Sequence, residues 1–420
     1  MKRKKLSLVI LSIVLGITLI LCYSIAEQLL TVKRKCAIAR TGPGSYYPSI
    51  AELPEGMNIN VLEEKNGWYK IMIDTLTGYV SKKVTEGKTE KEDIFSQMAS
   101  QEATIRVSQV GLSAGIKGFG EKFSKRLKGD PEFLELALSY QIDPSKYRQF
   151  KKATYTYFDI NKIQKQIELP PSEIPLFFSF SEEGMGLGIA SKISELGVYQ
   201  NKSVQDYVNY VGHLVVEASD AYDISFKFFI LNIPYANAYS CPGGIVFITK
   251  GMLENLQSEA ELACVLGHEI AHIARYHGMK ELEERKVEII AEDSFMELDE
   301  MSDTLFATEE DTTYKDVEAE LEDMALSIYD DIFAGRLEEY EDEADELGLL
   351  YAARAGYSPY AMQDLLSRMS AEGVTSNNEH YTKDQIVWRK QLIRNFLDSK
   401  KFPEGLLRNE QRLKKYLGNL

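Results

Sequence analysis

Between Val32 and about Val84 apolar and polar residues alternate in short runs separated by turn clusters. Asn58 to Leu62, Trp68 to Ile73 and Gly78 to Ser81 read as strands. Arg40-Thr41-Gly42-Pro43-Gly44 and Leu53-Pro54-Glu55-Gly56 read as turns. Five strands in some fifty residues predict a small all-β barrel. Further on, the period lengthens to that of helices over Ala99 to Leu112, Pro131 to Tyr140 and Val204 to Ala218. Two β-rich runs, Ser225 to Asn232 and Ile245 to Thr249, interrupt the helical pattern, the second entered through Pro242-Gly243-Gly244. The expected fold class is multidomain α+β, a barrel followed by a mainly helical domain with a small sheet.

The most apolar stretch is Leu6 to Cys22, preceded by Lys2, Arg3, Lys4 and Lys5. Positive charge before such a run predicts that everything after it is exported. The run is near the lower limit for a spanning helix. Ser24-Ile25-Ala26 also resembles a small-x-small cleavage site, so residues 1–26 read as a membrane anchor or a signal peptide. Cys22 raises a lipoprotein reading, against which stands the bulky Leu21 before it. The expected place is the bacterial cell membrane, single-pass, with the bulk of the chain on the extracytoplasmic side. Release after signal cleavage is the alternative.

The net charge of −16 argues against nucleic acid as a partner, since phosphate binding needs a basic face. Residues 281–336 hold 20 acidic and 4 basic residues, so this one stretch equals the charge of the whole chain. The four cysteines show no CxxC spacing and read as free thiols.

The chemistry concentrates in His268-Glu269-Ile270-Ala271-His272. Ser258 and Glu261 form a capping box that starts a helix here. Histidines four apart project from one helical face, so both imidazoles can reach a single zinc ion at roughly 2.0–2.1 Å. Glu269 lies close enough to a metal-activated water to act as its base. Gly267 and Ala271 are small, which suits close packing beside a substrate strand. His277 lies five residues past His272, about 140° around a continuing helix, and so faces away. His213, on an earlier helix, reads as a satisfied core or surface histidine. With 5 histidines in the chain and no third at ligand spacing, the remaining ligand is expected to be a carboxylate on another element. Glu338-Glu339-Tyr340-Glu341-Asp342-Glu343-Ala344-Asp345 supplies candidates. Its pattern gives Glu341 no advantage over Glu338, and Asp345, one turn beyond Glu341, suits an acceptor that orients a ligand histidine.

Two resemblances follow. The order Ala-x-x-Arg-x-Gly-Pro-Gly, Pro-x-Gly, Asn66-Gly67-Trp68-Tyr69-Lys70 and Gly78-Tyr79-Val80 resembles the bacterial SH3 domain over 32–84. That implies a cell-wall or protein ligand, or else a spacer in which Trp68 is simply core. Asn237-Ala238-Tyr239-Ser240-Cys241-Pro242-Gly243-Gly244, Phe247 to Gly251, Glu259 to Ala263, the His268–His272 motif, Glu341 to Asp345 and Ala355-Gly356-Tyr357-Ser358-Pro359 are similar, in that order, to zinc peptidases of the HtpX, BepA and Oma type. This resemblance implies a gluzincin domain over 95–400 with one Zn2+ per chain held by His268, His272 and Glu341. It implies Glu269 as general base and polypeptides, misfolded or envelope proteins, as substrates. The chain departs from the family where Leu337-Glu338 replaces its Ser-Arg, with Arg336 a substitute, and where the acidic insertion of about 281–336 divides the site. The family's downstream histidine corresponds to His380, which would stabilise an oxyanion or plug the resting site. The competing expectation is an inactive peptidase fold acting as a chaperone-like or wall-binding protein.

Overall fold

A computed structural model describes residues 28–85, 117–171, 180–280, 325–332, 338–372 and 383–420, apart from single positions or short gaps within those ranges. The apolar run Leu6–Cys22, most of the acidic insertion, the predicted helix over 99–112, Arg336 and His380 lie outside the described residues. Among those described, no helix is long and apolar enough to cross a membrane. The chain divides into two compact units, with the division near residue 110.

The first unit has six strands rather than five: β1 (Gln28–Thr31), β2 (Cys36–Arg40), β3 (Ser49–Pro54), β4 (Asn58–Lys65), β5 (Trp68–Ile73) and β6 (Leu76–Ser81). They form one antiparallel sheet in the order β1-β4-β5-β6-β2-β3. The extra strand, β1, precedes Val32 and hydrogen-bonds along β4, a pairing that only the three-dimensional fold supplies. The β4–β5 turn is Asn66-Gly67, both residues at positive φ (50° and 81°), the conformation that suits a two-residue hairpin. Ile59, Val61, Ile71, Ile73 and Val80 point inward on alternate positions and form the unit's own core. Trp68 is 4% exposed, as core rather than as a presented binding face.

The second unit is built around three strands, β7 (Lys227–Leu231), β8 (Ala238–Ser240) and β9 (Ile245–Thr249), in the order β7-β9-β8. Phe228, Ile230, Val246 and Ile248 face one hydrophobic cluster, while Phe229, Leu231, Ile245 and Phe247 face another. Strict alternation with both sides apolar marks a sheet covered by helices on both faces. One cover is made by α1 (Pro131–Ser139) and α4 (Phe180–Ile193). The other includes α5 (Lys202–Ala218), α7 (Glu259–Ala274), α8 (Glu338–Arg354) and α9 (Tyr360–Glu372). The short helices α2 (Pro144–Thr154), α3 (Ile160–Gln166) and α6 (Lys250–Asn255), with α10 (Lys383–Ser399) and α11 (Glu410–Leu417), complete the unit. The end of the acidic insertion is helical over 325–330, and Ala325, Ile328 and Ile332 are buried in the cluster that holds Phe229 and Phe247. That part of the insertion is therefore core.

Candidate metal centre

Helix α7 starts where the capping pattern places it. Ser258 accepts a hydrogen bond from the backbone N–H of Glu261. Glu261 reaches one residue further back than a capping box requires, to the N–H of Gln257, because Arg368 holds its carboxylate there. Every residue of α7 is buried, charged ones included, so its polar side chains need partners from other elements.

For the two histidines those partners come from α8, through close packing. A Cβ on Gly267 would lie 2.6 Å from the Gly348 carbonyl oxygen, and one on Gly348 would lie 2.6 Å from the backbone nitrogen of His268. The small residue before His268 thus serves a helix crossing, not the substrate strand expected from sequence. The crossing sets the first turn of α8 over the histidines. His268 Nε2 and His272 Nε2 are 3.0 Å apart, and Glu341 presents its two carboxylate oxygens at 3.4 Å and 3.3 Å from them. Four ligands at roughly 2.0–2.1 Å around a tetrahedral zinc lie about 3.3–3.4 Å from one another, so this spacing fits the ion. Among the described residues, His268, His272 and Glu341 form a group able to hold a metal.

The outer nitrogens support the same reading. His268 Nδ1 lies 2.9 Å from Asp345 Oδ1, and Arg389 grips Asp345 with two bonds of 2.9 and 2.6 Å. An imidazole that gives its Nδ1 proton to a carboxylate turns an Nε2 lone pair toward the cluster. Burial alone would press the His268 pKa down, but the hydrogen bonds and charges of Asp345 and Glu341 outweigh it and raise the pKa to about 10. Burial opposes ionisation of Glu341 as well, yet the two histidines hold its carboxyl well below the usual range. Glu269 is 5% exposed beside His268, and together with Met252, Val265, Met362, Leu365 and Met369 it lines a small, mostly apolar cavity.

Two expectations change here. His277 does not face away: α7 stops at Ala274, Tyr276 adopts a left-handed φ of 57°, and the chain folds back. His277 Nδ1 then lies 2.9 Å from His272 Nδ1. Nothing in the sequence announces this break, since a bulky aromatic occupies a position that usually takes glycine. His213 is 2% exposed and in the core, but its Nδ1 finds no hydrogen-bond partner among the described residues, so it is not satisfied. Glu338 and Glu339 point to solvent at the start of α8, which separates them from Glu341.

The sequence profile of peptidase family M48 matches residues 202–397, and that of the bacterial SH3 domain matches 37–86. A Vibrio cholerae protein described as a beta-barrel assembly-enhancing protease is 29% identical over 175 residues, 42% of this chain and 34% of the relative. The mitochondrial metalloendopeptidase OMA1 of Schizosaccharomyces pombe is 28% identical over 39% of this chain and 44% of its own length. The Arabidopsis thaliana protein of that name is 28% identical over 36% and 27% respectively. The matches thus span between about a quarter and less than half of these relatives.

Proposed function

From the premise that residues 202–397 are a metallopeptidase domain of family M48, preceded by a bacterial SH3 domain, we propose that the chain is a zinc-dependent endopeptidase. The observation that carries this reading is the convergence of His268 Nε2, His272 Nε2 and the Glu341 carboxylate at zinc-ligand spacing. These three residues would hold one Zn2+. When bound, the ion acts as a Lewis acid that lowers the pKa of a water and polarises the scissile carbonyl.

Glu269 takes the proton of the attacking water and returns it to the leaving amine nitrogen. Arg389 and Asp345 keep His268 in the tautomer that binds metal. The substrate is an extended polypeptide added to a sheet edge. β9 is central, paired with β7 and with β8, and of the two outer strands we assign the peptide to β8. β8 also packs against α7, which puts a peptide along it beside the centre. Misfolded or envelope proteins are the proposed substrates, cleaved on the extracytoplasmic side, with the Leu6–Cys22 run as tether. His380 belongs to the same proposal, as a residue that stabilises the oxyanion or plugs the resting site.

Two measurements test the reading. Zinc content of the purified chain is expected near one per molecule, lost in Glu341→Ala and kept in Glu338→Ala; equal retention in both would refute the third ligand. Glu269→Gln is expected to keep its zinc while casein cleavage falls by about 10²–10⁴-fold or more. Undiminished cleavage by that variant removes Glu269 from the mechanism.

A further inference from the structure

His277 follows the metal-binding helix rather than belonging to it, and three contacts fix its ring. The side chain is 0% exposed. It stacks on Tyr340, with ring centroids 4.6 Å apart and planes 17° from parallel. Its Nδ1 is 2.9 Å from His272 Nδ1, and its Nε2 is 3.0 Å from Glu343 Oε2. Arg275 holds the same carboxylate through its Nε at 3.1 Å from Glu343 Oε1, so Glu343 stays an acceptor on the His277 side.

Counting protons along this chain leaves one consistent arrangement for neutral rings. A neutral imidazole has one N–H and one lone pair. Glu343 can only accept, so His277 carries its proton on Nε2 and has its lone pair on Nδ1. That lone pair faces His272 Nδ1, which must therefore be the protonated nitrogen. His272 Nε2 is then left with its lone pair directed at His268 Nε2 and Glu341. The opposite tautomer of His277 would turn its Nε2 lone pair on the Glu343 carboxylate at 3.0 Å, acceptor against acceptor.

We propose that His277 is a positioning residue for the metal: backed by Glu343 and braced by Tyr340, it holds His272 as the tautomer whose Nε2 lone pair faces the cation. The inference rests on the zinc reading above. The two histidine ligands are thereby held by different devices, His268 directly by the Asp345–Arg389 pair and His272 through a second histidine. Partners of this kind usually affect metal affinity by about 10–100-fold.

The test uses the full chain with 15N-labelled histidine, whose five residues give separable long-range 1H–15N correlations, and zinc titration against a chromophoric chelator. In the metal-free protein the expected pattern is His277 protonated at Nε2 and bare at Nδ1, with His272 protonated at Nδ1. His277→Phe preserves the stack and the buried volume but removes both hydrogen bonds. It is expected to bind zinc about 10–100-fold more weakly while the metal-free chain unfolds at the wild-type temperature. Glu343→Ala, at a partly exposed position, is expected to weaken zinc by a smaller factor and to give His277 a mixed tautomer pattern. Wild-type zinc affinity in either variant, or a proton on His277 Nδ1, overturns the proposal. If His277→Phe fails to fold, the Glu343→Ala affinity and the wild-type tautomer pattern decide it. A wild-type chain that binds no zinc refutes the metal centre itself, a failure distinct from equal zinc binding by wild type and His277→Phe.

Discussion

Individual histidines in this chain have different protonation needs, and their surroundings meet them differently. His268 sits among carboxylates, and the hydrogen bonds and charges of Asp345 and Glu341 raise its pKa against the effect of burial. His213 sits in the hydrophobic core, where burial pushes its pKa down to about 3. A histidine kept neutral in the fold but titrating near 6.5 when unfolded contributes stability that is fully present above pH 6.5. That contribution is lost as pH falls from 6.5 toward 3. Between pH 7 and pH 5 the wild type should therefore lose about 2 kcal/mol relative to His213→Phe, which cannot be protonated. Urea unfolding of both chains at the two pH values measures this, and parallel curves would contradict the assignment. The unusual features of His213 are invisible in the sequence, where it is one polar residue on an apolar helix. That its Nδ1 has no hydrogen-bond partner among the described residues is a property of the packing around it.

At the scale of elements, the crossing of α7 and α8 determines whether a centre exists at all. In each helix a glycine meets the other's backbone within van der Waals distance, and Glu341 lies two turns before Gly348 on α8. Gly348→Ala poses two opposing effects. A helical alanine is favoured over glycine by about 1 kcal/mol. The added Cβ, however, has to push the His268 backbone away, and overpacking of that kind costs about 1–3 kcal/mol. Since the contact is with backbone rather than a flexible side chain, the clash should prevail. The expected result is a chain less stable by about 1–2 kcal/mol with zinc affinity lowered, because the helices part just where Glu341 must reach both histidines. Chemical denaturation and zinc titration read both effects. The helices themselves were legible: the capping residue, the histidine spacing and the turn before β9 all appear in the sequence. Their crossing was not, and it is why Gly267 looked like an accommodation for substrate.

Over the whole second unit, the C-terminal end is tied to the start of α7. Glu259 is fully buried at the first turn of α7 and receives Tyr207 Oη at 2.9 Å, Tyr357 Oη at 2.7 Å, Asn409 Nδ2 at 3.0 Å and a two-pronged Arg412. Residues distant in sequence by as much as 153 positions thus meet on one carboxylate. Removing one partner of a buried pair costs about 3–5 kcal/mol. Arg412 keeps 21% of its side chain exposed, so Glu259→Ala should fall near the lower figure, about 3 kcal/mol. A loss within experimental error of zero would show that the network adds nothing to the fold.

What the sequence determined alone is whatever depends on short-range periodicity and residue chemistry. The alternation of the barrel strands, the buried β-runs, the helix carrying His268 and His272, and Glu269 beside them follow from spacing within a few residues. The family resemblance added Glu341, which local pattern could not separate from Glu338. Tertiary structure decided the remainder. It made β9 a central strand with β7 and β8 outside it, because strand order depends on pairings made across the sheet. It placed Glu341 and Asp345 over the histidines through a glycine crossing. It also ended α7 at Ala274, so that His277, which a continuing helix would carry away, folds back against His272. A periodicity argument assumes that the helix continues, and here it stops at Ala274.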